Sequence, residues 1–80
     1  MIEIRVEYFA VLREQRGASD ETVQTEASSV ADLYAELAER HSLSTPRDTL
    51  RVAINEAFSD WQSPLADGDV VVFIPPVAGG

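Results

Sequence analysis

The first nine residues, MIEIRVEYF, separate by parity. Ile2, Ile4, Val6 and Tyr8 fall on one side, and Glu3, Arg5 and Glu7 on the other. Period-two alternation of this kind predicts a half-buried strand. Phe9 breaks the parity and points away from the core set. AVLREQRG has the composition of a short helical turn stopped by Gly17. Turn residues follow, and then a β-branched segment around Thr22, Val23 and Thr25 predicts a second strand paired with the first as a hairpin. From Ser29 the period changes. Val30, Leu33, Tyr34, Leu37 and Ala38 recur at the spacing of one helical face. Ser29 with Asp32 three residues on is a capping-box pattern, and Glu36 with Arg40 is an i,i+4 pair on the outer side. Glu36 and Glu39 are placed in solvent. After a polar loop, LRVAIN alternates again, with Leu50, Val52 and Ile54 inward, and Asn55-Glu56 predicts a turn into a short strand within AFSDW. SPLADGD predicts a tight turn with Gly68 at positive φ. VVVFI is apolar on both faces, as a strand covered on both sides would be.

The order is β-β-α-β-β-β, an α+β layer with one main helix on one face of a mixed sheet. A two-stranded start, a crossover helix and a last strand returning to the centre fit a β-grasp (ubiquitin-like) roll. The expected division is a β-grasp domain over 1–74 and a flexible, extended C-terminal Gly-Gly tail over 75–80.

Composition narrows the chemistry. The 80 residues include no cysteine, which removes disulfides, iron–sulfur ligation and a thiolate nucleophile. With no cysteine and a single histidine, His41, no metal site is expected; His41 is read as a structural residue at a helix C-terminus, facing the carbonyl end of the dipole. The formal charge of −8 makes nucleic acid a poor partner and favours proteins with basic surfaces. No apolar run approaches the length of a membrane span, and the N-terminus lacks a secretory pattern, so no membrane association and a cytoplasmic location are expected. All six basic residues are arginines, so the chain has no side-chain amine to accept an acyl group. The carboxylates are scattered, no serine sits in a nucleophile elbow, and no glycine loop would cradle phosphate.

Two features remain. Phe9, Phe58 and the outer residues of the last strand, Val70, Val72 and Ile74, would form an exposed apolar patch of the kind that marks a partner surface, with Arg13 at its rim. The other is the end of the sequence, FIPPVAGG. Pro75 and Pro76 stop the strand ladder and favour an extended exit. Val77 and Ala78 are small, and Gly79 and Gly80 have no Cβ, so the backbone can pass a narrow channel. A terminal carboxylate there suits adenylation with ATP in a partner enzyme, followed by conversion to a thiocarboxylate. No carrier cysteine is needed for that route.

PPVAGG after LADGDVVVFI, with VAIN upstream and EYFAVLRE near the start, resembles the small subunit of molybdopterin synthase, the MoaD family of ubiquitin-like sulfur carriers. The resemblance covers essentially the whole chain. It implies a β-grasp fold and a subunit that is catalytic only in a heteromeric transferase. It implies Gly80 as the adenylate and thiocarboxylate site, with sulfur donated to cyclic pyranopterin monophosphate for the molybdopterin dithiolene. It also implies insertion of Pro75, Pro76, Val77, Ala78 and Gly79 into the large subunit, and an interface at Phe9, Arg13, Phe58 and Ile74 for the large subunit and an E1-like adenylating enzyme. No cofactor is bound by the chain itself in this picture; ATP is used by the activating partner. The alternatives are a ubiquitin-like modifier conjugated through Gly80, and a sulfur carrier for thiazole synthesis. Trp61 is bulkier than the family pattern suggests.

Overall fold

Seven alternating residues, Ile2–Tyr8, form β1, and a turn of backbone at Phe9-Ala10 carries the chain into α1, Ala10–Arg16. The computed structural model describes residues 1–76. Gly17 ends α1 at φ 83, its N–H bonded to the Arg13 carbonyl, and β2, Asp20–Thr25, runs back beside β1. The main helix, α2, spans Val30–His41 and is capped by the Ser29 side chain, which accepts from the Asp32 N–H at 3.2 Å. A 3-10 turn at Arg47–Thr49 leads into β3, Arg51–Ile54. Two residues later β4, Ala57–Ser59, returns antiparallel to β3. The last strand, β5, is Val70–Ile74.

The sheet order is β2-β1-β5-β3-β4. β5 is central: it pairs parallel with β1 and antiparallel with β3. This explains its apolar character on both faces. Val71 and Phe73 are fully buried, whereas Val70, Val72 and Ile74 are half-buried on the other side. The inner faces of the strands meet Val30, Leu33, Tyr34 and Leu37 of α2 in one apolar core. Trp61 extends that core. Its ring stacks on Phe73 at 5.9 Å and meets Tyr34 edge-on at 5.5 Å, so its bulk fills the end of the helix–sheet interface.

Three local expectations change. AVLREQR is a full seven-residue helix, so the order gains a second α-element. Glu36 is not simply in solvent: it is half-buried, and the hydroxyl of Thr25, the buried polar side chain of β2, donates to it at 2.7 Å. His41 does end α2, but its ring is turned onto a carboxylate of β2, described below.

Candidate functional site

β5 ends because Pro75 has no N–H to extend the ladder and the pairing stops at Arg51↔Ile74. Pro75 is buried and Pro76 is exposed. Ile74, Pro75 and Pro76 thereby form a ridge at the point where the chain leaves the sheet. Open grooves lie on both sides of it. One, of about 640 Å³, is walled by Arg51, Val52, Phe58 and Trp61, with Asp48 and Asp60 at its polar margin. The other, of about 680 Å³, is walled by Phe9, Ala10, Val11, Thr45 and Thr49 and is mostly apolar. The ridge is common to both.

Among the described residues the exposed large apolar side chains, apart from Met1, are Phe9, Val11 and Phe58, and all three line these grooves. Phe58 is 74% exposed. Folding left these rings in water, against an ordinary gain of about 1.5–3 kcal/mol for burying one. Ala10 takes φ 51. A left-handed backbone costs a non-glycine residue roughly 1–2 kcal/mol, and here it turns the chain into α1 directly after the extended Phe9. Arg13 is exposed on α1, two residues beyond Val11. The structure therefore sets Phe9 and Phe58 on opposite sides of Ile74, rather than in one continuous patch. Phe58 is also not beside β5: β3 lies between, and the outer row reads Glu7, Val72, Ala53, Phe58 across four strands. Val77, Ala78, Gly79 and Gly80 lie outside the described residues.

Sequence reasoning passed over Glu21. One of its oxygens, Oε2, accepts from the Tyr8 hydroxyl at 2.6 Å and the Arg16 Nε at 3.0 Å, and lies 2.7 Å from the His41 Nε2. Burial pushes this carboxyl up, but hydrogen bonds from Arg16, Tyr8 and His41 outweigh it and hold it below the usual carboxylate range. Burial, and then the bond to Glu21, push the Tyr8 phenol far up. The cluster ties the ends of β1, α1 and α2 to the start of β2. It is saturated with donors and lines neither of the grooves beside the ridge, so it is a structural knot. Among the described residues no group of His, Cys, Asp and Glu is arranged to hold a metal ion, and no helix is long and apolar enough to cross a membrane.

A five-stranded mixed sheet with a central last strand, gripped around α2, defines the class: a ubiquitin-like β-grasp domain with its exposed apolar residues gathered at the root of its C-terminal segment. The model of the ThiS family matches residues 6–80, and the chain belongs to that family. It is 35% identical over 80 residues to the molybdopterin synthase sulfur carrier subunit of Escherichia coli (strain K12), across 96% of this chain and 99% of the relative. In the solved complex of subunits 1 and 2 of the molybdopterin-converting factor from Helicobacter pylori, a chain aligns with TM-score 0.70 and 28% identity, covering 99% of this chain and 100% of that one. The crystal structure of SAMP1 from Haloferax volcanii aligns with TM-score 0.82 at 24% identity over 98% of this chain and 99% of that one, a likeness of fold.

Proposed function

We propose that the chain is the sulfur-donor subunit of a molybdopterin synthase. The observation that carries this is the placement of Phe9, Val11 and Phe58 around the ridge that leads to Gly79-Gly80. The full-length similarity to sulfur carrier subunits supports it. In this reading Phe9, Arg13, Phe58 and Ile74 dock on a partner protein. Pro75 and Pro76 direct the segment away from the sheet, and Val77, Ala78 and Gly79 pass into the partner's active site.

Gly80 supplies the reacting carboxylate. An E1-like partner adenylates it with ATP, releasing pyrophosphate. Sulfide-level sulfur then attacks the acyl carbon and displaces AMP, leaving a thiocarboxylate. The large subunit takes the loaded tail, the thiocarboxylate sulfur bonds to cyclic pyranopterin monophosphate, and water then cleaves the acyl C–S bond, leaving the sulfur on the pterin and returning Gly80 to a carboxylate. The chain brings no cofactor of its own to these steps; it contributes position and one activated carbonyl.

Co-expression with the activating enzyme and a sulfur source tests this. Intact-mass spectrometry is expected to show replacement of one oxygen by one sulfur at the C-terminus, and deletion of Gly80 to remove it. An activator shown competent on another carrier, with this chain unmodified, would overturn the proposal. Isopeptide conjugates dependent on Gly80, without a thiocarboxylate, would assign the modifier role instead.

A further inference from the structure

The six arginines divide into two sets. Arg5 pairs with Asp20 at 3.1 Å, Arg16 with Glu21 at 3.0 Å and Arg40 with Glu36 at 2.8 Å. Among the described residues, Arg13, Arg47 and Arg51 have no carboxylate oxygen within 4.0 Å. A chain with 14 acidic and six basic residues has carboxylates in excess, so mutual neutralisation does not account for three unpaired arginines. Arg13 stands apart on α1, whereas Arg51 and Arg47 lie together beside the Phe58 groove. Arg51 stands opposite Ile74 in the β3–β5 register and lines the Phe58 groove. Arg47 is not itself in the wall of that groove, but its guanidinium lies 5.8 Å over the ring of Trp61, which is. All three are exposed.

Two carboxylates share this neighbourhood. Asp60 is engaged in its own turn, accepting from the Gln62 N–H at 2.8 Å and the Ser63 hydroxyl at 3.4 Å. Asp48 follows Arg47 in the 3-10 turn without reaching either guanidinium. The Phe58 side of the ridge is thus bordered by two guanidinium groups free to pair outward, on a molecule whose net charge is −8. A guanidinium offers five donors in a fixed fork matched to a carboxylate.

We propose that the protein surface which covers the Phe58 groove carries acidic side chains facing Arg51 and Arg47, so that docking is apolar at the ridge and ion-paired on the β3 side. This rests on the sulfur-donor reading, which names the large subunit as the occupant. A partner with an acidic contact patch meets an acidic carrier unfavourably in every orientation except the one that brings these arginines to it. Arg47 and Arg51 therefore select orientation as well as partner.

Association of the full chain with the synthase large subunit, followed by stopped-flow or biosensor kinetics at low and high salt, tests it. Arg51→Glu is expected to slow association about tenfold at low salt, with the difference narrowing as salt is raised. Arg51→Lys is expected to stay within a few-fold of wild type. Arg40→Glu, on the outer side of α2, is the control for net charge and is expected to change association much less. Circular dichroism confirms that each variant is folded, and Arg47→Glu serves as the second test if Arg51→Glu is not. Wild-type binding with Arg51→Glu and Arg47→Glu both at wild-type rates overturns this inference alone. A wild-type chain that neither binds the large subunit nor acquires a thiocarboxylate overturns the functional reading beneath it.

Discussion

Glu21 is the residue on which the most of this structure converges. Three donors on one oxygen leave Tyr8, Arg16 and His41 without a substitute partner if the carboxylate goes. Glu21→Gln keeps the shape and removes the charge. It is expected to lower unfolding free energy by about 1–3 kcal/mol in urea titration at neutral pH, because it leaves part-buried polar groups underpaired. The pH dependence follows from the sign of the shift. The folded carboxyl titrates below its ordinary value of about 4.3, so its contribution is complete above that pH and is lost as pH falls through the folded value. Wild type is therefore expected to lose stability more steeply than Glu21→Gln below about pH 4; parallel curves would remove Glu21 from acid unfolding. None of this was legible in the sequence. Glu21 stands at an exposed-looking start of a strand, and its partners are five to twenty residues away. Parity and periodicity locate apolar faces, whereas a carboxylate acquires its partners only when elements dock.

At the scale of elements, alternation located β1 and β3 and the helical period located α2, because each buries one face against the same core, while β5 showed as a run apolar on both faces because it is central. Pairing across strands was less readable. Phe58 reaches the outer row only through the two-residue turn at Asn55-Glu56, where both residues take positive φ, 51 and 72. That geometry matches the twist of the strands. Asn55 also fixes the turn to β5, accepting from the Val70 N–H at 2.9 Å and donating to Asp69 at 2.9 Å. Glu56 has no such compensation among the described residues. Glu56→Gly is expected to raise stability by roughly 0.5–1 kcal/mol in thermal or urea unfolding, by relieving a left-handed backbone. A fall would mean that the Glu56 side chain contributes something the geometry does not reveal. The two-sided site was half-legible for the same reason. Phe9 stood out by broken parity, Ile74 as the outer face of a doubly apolar strand and Phe58 as an apolar residue on a nearby strand, but their division by a proline ridge depends on the register.

Over the whole molecule, charge and topology set the behaviour. A net charge of −8 lies on a body with a radius of gyration of 11.6 Å, comparable to the Debye length of about 10 Å at 0.1 M salt. Like charges therefore interact across the fold at low salt. The surface pairs Arg5–Asp20 and Arg40–Glu36, the second with a half-buried carboxylate, oppose this by about 1 kcal/mol each at most. The melting temperature is expected to rise between about 10 mM and 100 mM salt, as screening relieves self-repulsion. A decrease would show that ion pairs outweigh it. The central position of β5 has a different kind of consequence, in time. Until Val70–Ile74 arrives, β1 and β3 each present a bare inner edge, open to the wrong partner strand. Its contacts with β1 span most of the chain, so closing this pairing carries a large loop-closure cost that local elements do not. The ridge exists only after that closure. A nascent or misfolded copy has no shaped docking surface to offer, so in the proposed reading the activating partner engages only carriers that have finished folding.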